Sequence, residues 1–243
     1  QIGGVCSTNA GGLRFCRFGS LLGNVTGLEV VLGTGEVLDL MNTCRKDNTG
    51  YPLRQLFLGA EGTLGVITKV CMAAAPLPRS VQVAFLACDS IDAVCETLKL
   101  AKSEINEILS AFELVDANAM GSIMDMSVMA GKDMGMATDY PYYVLIETYG
   151  SNEDKDRESL SAFLEKAMDE APALQGRMPV VDGVVAQDNK QAAELWHVRE
   201  LCPVAASEAG YVHKYDLSLS LRQWDAFKNE VAERLSAHPQ GGG

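Results

Sequence analysis

Basic residues are scarce in this sequence. Only 20 Lys and Arg stand against 32 Asp and Glu, a net charge of −12. Nucleic acid and anionic membrane surfaces both demand a basic face, so the balance argues against either as a partner. Long apolar runs are missing as well, and nothing nears the ~20 residues of a membrane-spanning helix. Paired cysteines are missing too. There are seven cysteines, an odd number with no Cys-x-x-Cys spacing, which does not make a disulfide framework. Reduced thiols are the expectation. Histidine is rarer still, with His197, His213 and His238 at no metal-binding spacing. Neither G-x-G-x-x-G nor G-x-x-x-x-G-K-[ST] occurs, so a Rossmann site and a Walker loop are both unsupported.

What is present is enough for a substantial core. A chain of 243 residues makes one large domain or two small ones. At that length it buries roughly 70% of its unfolded surface without a covalent staple. Two textures meet at Pro76-Leu77-Pro78. Residues 1–79 are rich in Gly and short apolar runs, whereas residues 80–243 alternate strands with amphipathic helices. In the first part, Leu28–Leu32 and Glu36–Leu40 flank Gly33-Thr34-Gly35 and predict a hairpin; Leu64–Val70 predicts a further strand. In the second, strands are expected at Val81–Ala87, Leu109–Val115, Tyr142–Glu147 and Tyr211–Leu219. Helices are expected after caps at Asp89 or Ser90, at Asn152 and at Asp188, with a last helix carrying Trp224, Val231 and Leu235. Asp182-Gly183 reads as a turn. The Met-rich stretch 121–136 fits either a helix or a loop. The fold class is α+β, a sheet with helices on one face.

The stretch GGVCSTNAGGLRFCRFGSLLG, residues 3 to 23, holds six glycines. Glycine admits positive φ and close approach. Two readings stay open: tight turns in a β-rich domain, or successive backbone N–H groups converging on an anion such as a phosphate. Gly59-Ala60-Glu61-Gly62-Thr63-Leu64-Gly65 carries the same ambiguity.

A charged residue stands out on the helix from Asp188. Ala192, Leu195, Trp196, Cys202 and Ala206 fall in one apolar arc with Arg199 in its middle. A buried guanidinium needs a partner. Glu113 or Glu147 could supply it, or the stem could cover the core with its head in water, or the head could await a ligand carboxylate. In the following strand Tyr211, His213, Tyr215, Leu217 and Leu219 share one side, and Lys214 lies on the other. Lys214 is either a solvated surface lysine or a second ligand cation.

The motifs together carry a resemblance. Gly3-Gly4 followed by Ser7-Thr8-Asn9-Ala10-Gly11-Gly12 is similar to the diphosphate-facing loop of the FAD-linked oxidases, the family with the vanillyl-alcohol oxidase flavin fold. Lys46–Tyr51, Gln55-Leu56-Phe57, Glu61–Gly65, Ser110–Glu113 and Tyr215–Leu219 narrow the likeness to its D-2-hydroxyglutarate dehydrogenase branch. Val5-Cys6 and the tail after Leu235 depart from the pattern, and Pro203 stands where a Thr is common.

The resemblance implies the rest. Residues 1–79 would be the second half of a PCMH-type FAD-binding domain. Residues 80–243 would be an antiparallel-sheet, ferredoxin-like C-terminal domain for the substrate. Gly3, Gly4, Thr8, Asn9, Gly11 and Gly12 would line one side of FAD, and Glu61, Gly62, Gly65 and Ile67 the other. Arg199 and Lys214 would hold a 2-hydroxy dicarboxylic acid that is oxidised to its 2-oxo acid. Acceptors would be a flavoprotein or a quinone, and a homodimer is expected. D-lactate dehydrogenase, a glycolate oxidase subunit and a non-catalytic flavin-domain subunit are the alternatives. The base and a zinc-like divalent metal would belong to a histidine-rich segment that this sequence lacks, so the chain reads as a fragment, inactive alone, with no catalytic residue or metal ligand of its own. Gln1 and Gly241-Gly242-Gly243 look like cut ends. A mitochondrial location is implied for a eukaryotic source, a cytoplasmic one otherwise.

Overall fold

A computed structural model describes residues 1–169, 171 and 174–237. His238 and the terminal glycines lie outside them. Packing divides the chain into two units: residues 1–82, 107–113 and 146–157 form one, and residues 83–106, 114–145 and those from 158 onward form the other.

The first unit opens with short helices, α1 (Ile2–Ser7), α2 (Phe15–Phe18) and α3 (Leu21–Asn24). Strands β1 (Val25–Val31) and β2 (Val37–Leu40) form the expected hairpin, with Val31 opposite Val37 and Leu28 opposite Leu40. A one-turn helix α4 (Arg54–Phe57) precedes β3 (Val66–Met72), which pairs antiparallel with the other edge of β1. Two glycines make this sheet possible. A Cβ on Gly27 would lie 2.3 Å from the Asn42 nitrogen, and one on Gly65 would lie 2.7 Å from both Val30 and the Val31 carbonyl. Cys6, Val25, Leu28, Val30, Phe57 and Leu58 form the core beneath it.

The second sheet runs in the order β5-β6-β4-β7. Its elements are β4 (Ser80–Cys88), α5 (Ile91–Glu104), β5 (Leu109–Asp116), α6 (Ala117–Met124), β6 (Tyr142–Gly150), α7 (Glu153–Ala167), β7 (Asp182–Val185), α8 (Asn189–Ala209) and α9 (Trp224–Ala237). The strand β4 is buried along nearly its whole length, which is why it reads as a continuous apolar run rather than an alternation. Caps begin the helices where short polar side chains stand. Ser90, not Asp89, accepts from the Ala93 amide; Asn152 accepts from Lys155 and Asp188 from Gln191.

The Met-rich stretch resolves into α6 and a short 3-10 turn at Ser127–Met129. Met120, Met126, Met129 and Met134 enter the core of the second unit with Phe85, Tyr143 and Leu195. The unbranched thioethers fill gaps that a regular periodic face does not require.

Two expectations are corrected. Asp182-Gly183 is not a turn but the start of β7, paired antiparallel with Ala87 and Leu86 of β4. Glycine is there for close approach, since a Cβ on Gly183 would sit 2.8 Å from the Leu86 side chain. Tyr211–Leu219 does not form a strand. The alternation itself is real: the Tyr211 and His213 rings lie 5.0 Å apart, and His213 and Tyr215 lie 6.4 Å apart. What is missing among the described residues is a neighbouring strand, and an alternating pattern cannot supply ladder hydrogen bonds by itself.

Candidate functional site

The glycine stretch does not begin as an open loop. Gly3 and Gly4 lie inside α1. Glycine is a poor helix former, costing roughly 0.5–1 kcal/mol at each position, so packing must set this turn. Cys6 is fully buried, and a Cβ on Gly3 would come within 3.2 Å of the Ile67 carbonyl of β3. The Thr8 hydroxyl donates back to the carbonyls of Gly4 and Val5 at 3.1 and 3.3 Å, which closes the helix end.

The two glycine segments then meet through their main chains. The Cys6 carbonyl accepts from the Gly59 amide at 3.1 Å, and the Ser7 carbonyl accepts from the Glu61 amide at 2.9 Å. Both segments hold left-handed backbone. Asn9 has φ 48°, Glu61 has φ 50° and Gly62 has φ 80°. Non-glycine residues in that region carry about 1–2 kcal/mol of strain and persist only where surroundings enforce them. The Asn9 side-chain oxygen is buried and has no hydrogen-bond partner. Space stands open above Gly4, Gly12 and Gly62, where a side chain would otherwise project.

Beside this junction the first unit holds a cleft of about 700 Å³, lined by Ala10, Gly12, Arg17, Phe18, Arg45 and Met72 among others. Its volume suits a cofactor-sized ligand. Of the ten residues expected to face FAD, Gly12 alone is in this wall; the other nine, Asn9, Glu61 and Gly62 among them, do not line it. Arg17, Phe18 and Arg45 were not anticipated. No local sequence signal singles them out; in the structure Phe18 is 40% exposed.

Behind the wall lies a polar cluster that periodicity did not reveal. Glu147 on β6 is 2% exposed. Its carboxylate accepts from Arg14 Nε at 2.8 Å, from Arg14 Nη2 at 3.0 Å and from the Ser110 hydroxyl at 3.0 Å. The Arg14 guanidinium lies 5.0 Å from the centre of the Tyr149 ring. Its hydrogen bonds to Glu147 push the Arg14 pKa further up, against the opposing effect of burial. Burial, with Glu147 adding to it, raises the Tyr149 phenol.

The two expected substrate cations are carried by separate parts of the second unit. On α8, Leu195, Val198, Leu201 and Ala205 are buried. Arg199 is half-buried at the edge of that face, not in its middle. The arc drawn from sequence omitted Val198 and Leu201, which displaced its centre. Arg199 engages the Cys202 side chain; burial raises the Cys202 thiol pKa while the Arg199 charge and hydrogen bond pull it down. Lys214 is exposed on the 211–219 segment.

The model for the FAD-linked oxidase C-terminal domain matches residues 77–240. The chain belongs to this family of FAD-linked oxidases. The α+β fold and the resemblance drawn from the motifs are therefore borne out. Among relatives, this chain is 45% identical over 97% of its length to the mitochondrial D-2-hydroxyglutarate dehydrogenase of Arabidopsis thaliana, covering 40% of that protein. It is 40% identical over 97% of its length to a putative mitochondrial D-lactate dehydrogenase of Schizosaccharomyces pombe, covering 43% of it. A solved structure of alkyldihydroxyacetonephosphate synthase shares the fold, with a TM-score of 0.56 at 18% identity over 84% of this chain and 36% of that one. The chain thus spans less than half the length of the relatives it matches.

Among the described residues, no three His, Cys, Asp or Glu side chains cluster as metal ligands. Among the same described residues, no helix is long and apolar enough to cross a membrane.

Proposed function

We propose that the protein oxidises a D-2-hydroxy acid with FAD, and that D-2-hydroxyglutarate is the substrate it prefers. The observation that carries the cofactor reading is the junction of the two glycine segments through Cys6, Ser7, Gly59 and Glu61. The residues present fit a flavin. The buried Asn9 oxygen is an acceptor in want of a donor, and a flavin offers donors in its ring imide and ribityl hydroxyls. Open space lies above Gly4, Gly12 and Gly62, as it does above turn glycines such as Gly33 and Gly50, so it admits such a ligand without by itself calling for one. FAD, when bound, supplies a two-electron acceptor for the hydride at the carbinol carbon.

The chain's own residues would bind and orient the substrate. Arg199 would grip one carboxylate through its planar fork, and Lys214 would meet the second as a point charge. Two cations suit a dicarboxylate, and that choice fits the D-2-hydroxyglutarate dehydrogenase of Arabidopsis. In this reading residues 1–79 complete the flavin-binding domain and residues 80–243 form the substrate domain. A divalent metal finds no ligand cluster among the described residues, so no step is routed through one. A quinone or a flavoprotein as electron acceptor, a homodimer and a mitochondrial location complete the proposal; the last carries over from the Arabidopsis relative.

One relative named as a putative D-lactate dehydrogenase favours a second reading, in which the substrate is a monocarboxylate. Steady-state rates of the intact protein with an artificial dye acceptor separate the two. D-2-hydroxyglutarate should give the higher kcat/KM. A preference for D-lactate would overturn the substrate assignment, and a protein that retains no flavin would overturn the cofactor reading.

A further inference from the structure

We propose that the Arg14–Glu147 ion pair is a positioning device that sets the wall of the cleft beside the glycine junction, where we place the flavin. This rests on the flavin reading above. Arg14 lies in the segment 10–19, which contributes Ala10, Gly12, Arg17, Phe18 and Gly19 to the cleft. That segment cannot place itself. Its helix α2 has four residues, too few for a stable helix alone. Its fastenings run to the ends of β5 and β6. Arg14 binds Glu147, which also holds Ser110, and its guanidinium lies over the Tyr149 ring. The Arg17 side chain donates to the Glu107 carbonyl, and the Phe18 ring meets Tyr149 edge-on with centres 6.3 Å apart.

The choice of a buried carboxylate is the informative part. Removing a charge from water is costly, and an apolar pair of similar volume commonly stabilises a fold as well or better. Stability alone is therefore a poor reason to keep Glu147 where it is 2% exposed on a strand that is otherwise apolar from Tyr142 to Ile146. What the pair adds is direction. Two parallel N–H···O bonds from one planar fork, at 2.8 and 3.0 Å, admit a single placing of the Arg14 side chain. Gly12 lies two residues before it and Arg17 three residues after it, so the wall is held in one register while its outer face stays open.

The test uses the intact protein with Arg14→Met, Glu147→Met, the double variant and Arg14→Lys. Melting temperature and hydrogen exchange of the amides of residues 10–19 are measured without flavin, and FAD affinity by flavin fluorescence. Arg14→Met leaves the buried Glu147 carboxylate without its counter-charge and should melt earlier; Glu147→Met leaves a guanidinium whose side chain is already 38% exposed and should cost less. The double variant should recover most of the melting temperature, yet exchange faster over residues 10–19 and bind FAD at least tenfold more weakly. Arg14→Lys keeps the charge, loses the fork and should show the same two defects in a folded protein. It decides the matter if the double variant does not fold. Wild-type exchange and FAD affinity in the double variant or in Arg14→Lys would overturn the proposal. Absence of FAD binding by the wild-type protein would overturn the flavin reading instead, and the exchange data would still report whether the pair fixes the segment.

Discussion

Gly59 and Asn9 stand face to face where the two glycine segments join. A Cβ added to Gly59 would lie 3.3 Å from the Asn9 Cβ, while the Gly59 amide donates to the Cys6 carbonyl at 3.1 Å. Gly59 also has φ 83°, in the left-handed region. Gly59→Ala should thus meet two penalties, the backbone cost of a side chain at positive φ and a crowded contact. The expected loss is about 1–2 kcal/mol. FAD affinity should fall more than for a matched alanine at the exposed Gly33, which has open space around it. Denaturant melts and flavin titration of both variants measure this. Equal behaviour would mean that the junction is not under constraint.

Gly183 gives the same test for the second sheet. Its missing side chain lets β7 lie against Leu86 and the Phe85 carbonyl of β4, 2.8 and 3.2 Å from where a Cβ would be. Leu86 is 2% exposed and has little room to retreat. Gly183→Ala should therefore overpack the site by about 1–3 kcal/mol. Chemical denaturation should show the loss, with faster hydrogen exchange confined at first to β7 and its neighbours on β4. If Asp182-Gly183 behaved as a surface turn, the substitution would be nearly silent.

These two glycines also show what could be read from sequence. The hairpin β1–β2, the caps at Ser90, Asn152 and Asp188, and the buried strand β4 follow from local chemistry: alternation, short polar acceptors and apolar runs. Gly183 was misread because Asp-Gly is a turn signal only while no partner strand is near, and the partner lies almost a hundred residues earlier. Tyr211–Leu219 failed in the opposite direction, since its alternation promised a ladder whose partner is missing among the described residues. The Arg14–Glu147 pair links residues 133 apart in sequence, and no local pattern announces such a contact. Arg199 was found by its misfit to an apolar face, but the face was centred wrongly because Val198 and Leu201 were left out of it.

Alkaline pH should weaken the fold through Cys88. Burial in the core raises its pKa from about 9 to about 11. Between those values the unfolded thiol loses its proton while the folded one keeps it. The unfolded state then binds fewer protons, so stability falls as pH rises from about 9 to about 11, by on the order of 2 kcal/mol from this group. Cys88→Ala should flatten part of that decline, although a small cavity lowers stability at every pH. Urea midpoints from pH 7 to 11 for both proteins provide the check, and an identical alkaline slope would refute the assignment. Thiol reagents at pH 8 should label the exposed Cys16 and Cys44 before Cys88.

The substrate assignment turns on Arg199 and Lys214, and the two make different predictions. Arg199→Lys keeps a charge at the edge of the buried face of α8 but removes the fork that binds a carboxylate through two bonds. If Arg199 serves the substrate, kcat/KM of the intact enzyme should fall roughly ten- to a hundredfold, the effect of one charge-assisted hydrogen bond. The melting temperature should move little. If Arg199 is instead structural, the order reverses, with a clear loss of stability and unchanged kcat/KM in the folded fraction. Lys214 is exposed, so Lys214→Gln should leave the melting temperature unchanged in either case. Its effect should depend on the substrate. With D-2-hydroxyglutarate the second carboxylate loses its counter-charge, and KM should rise several-fold. With D-lactate, which has no second carboxylate, KM should stay as it was. A Lys214→Gln variant that treats both acids alike would remove Lys214 from the site and leave the dicarboxylate preference without a residue to explain it.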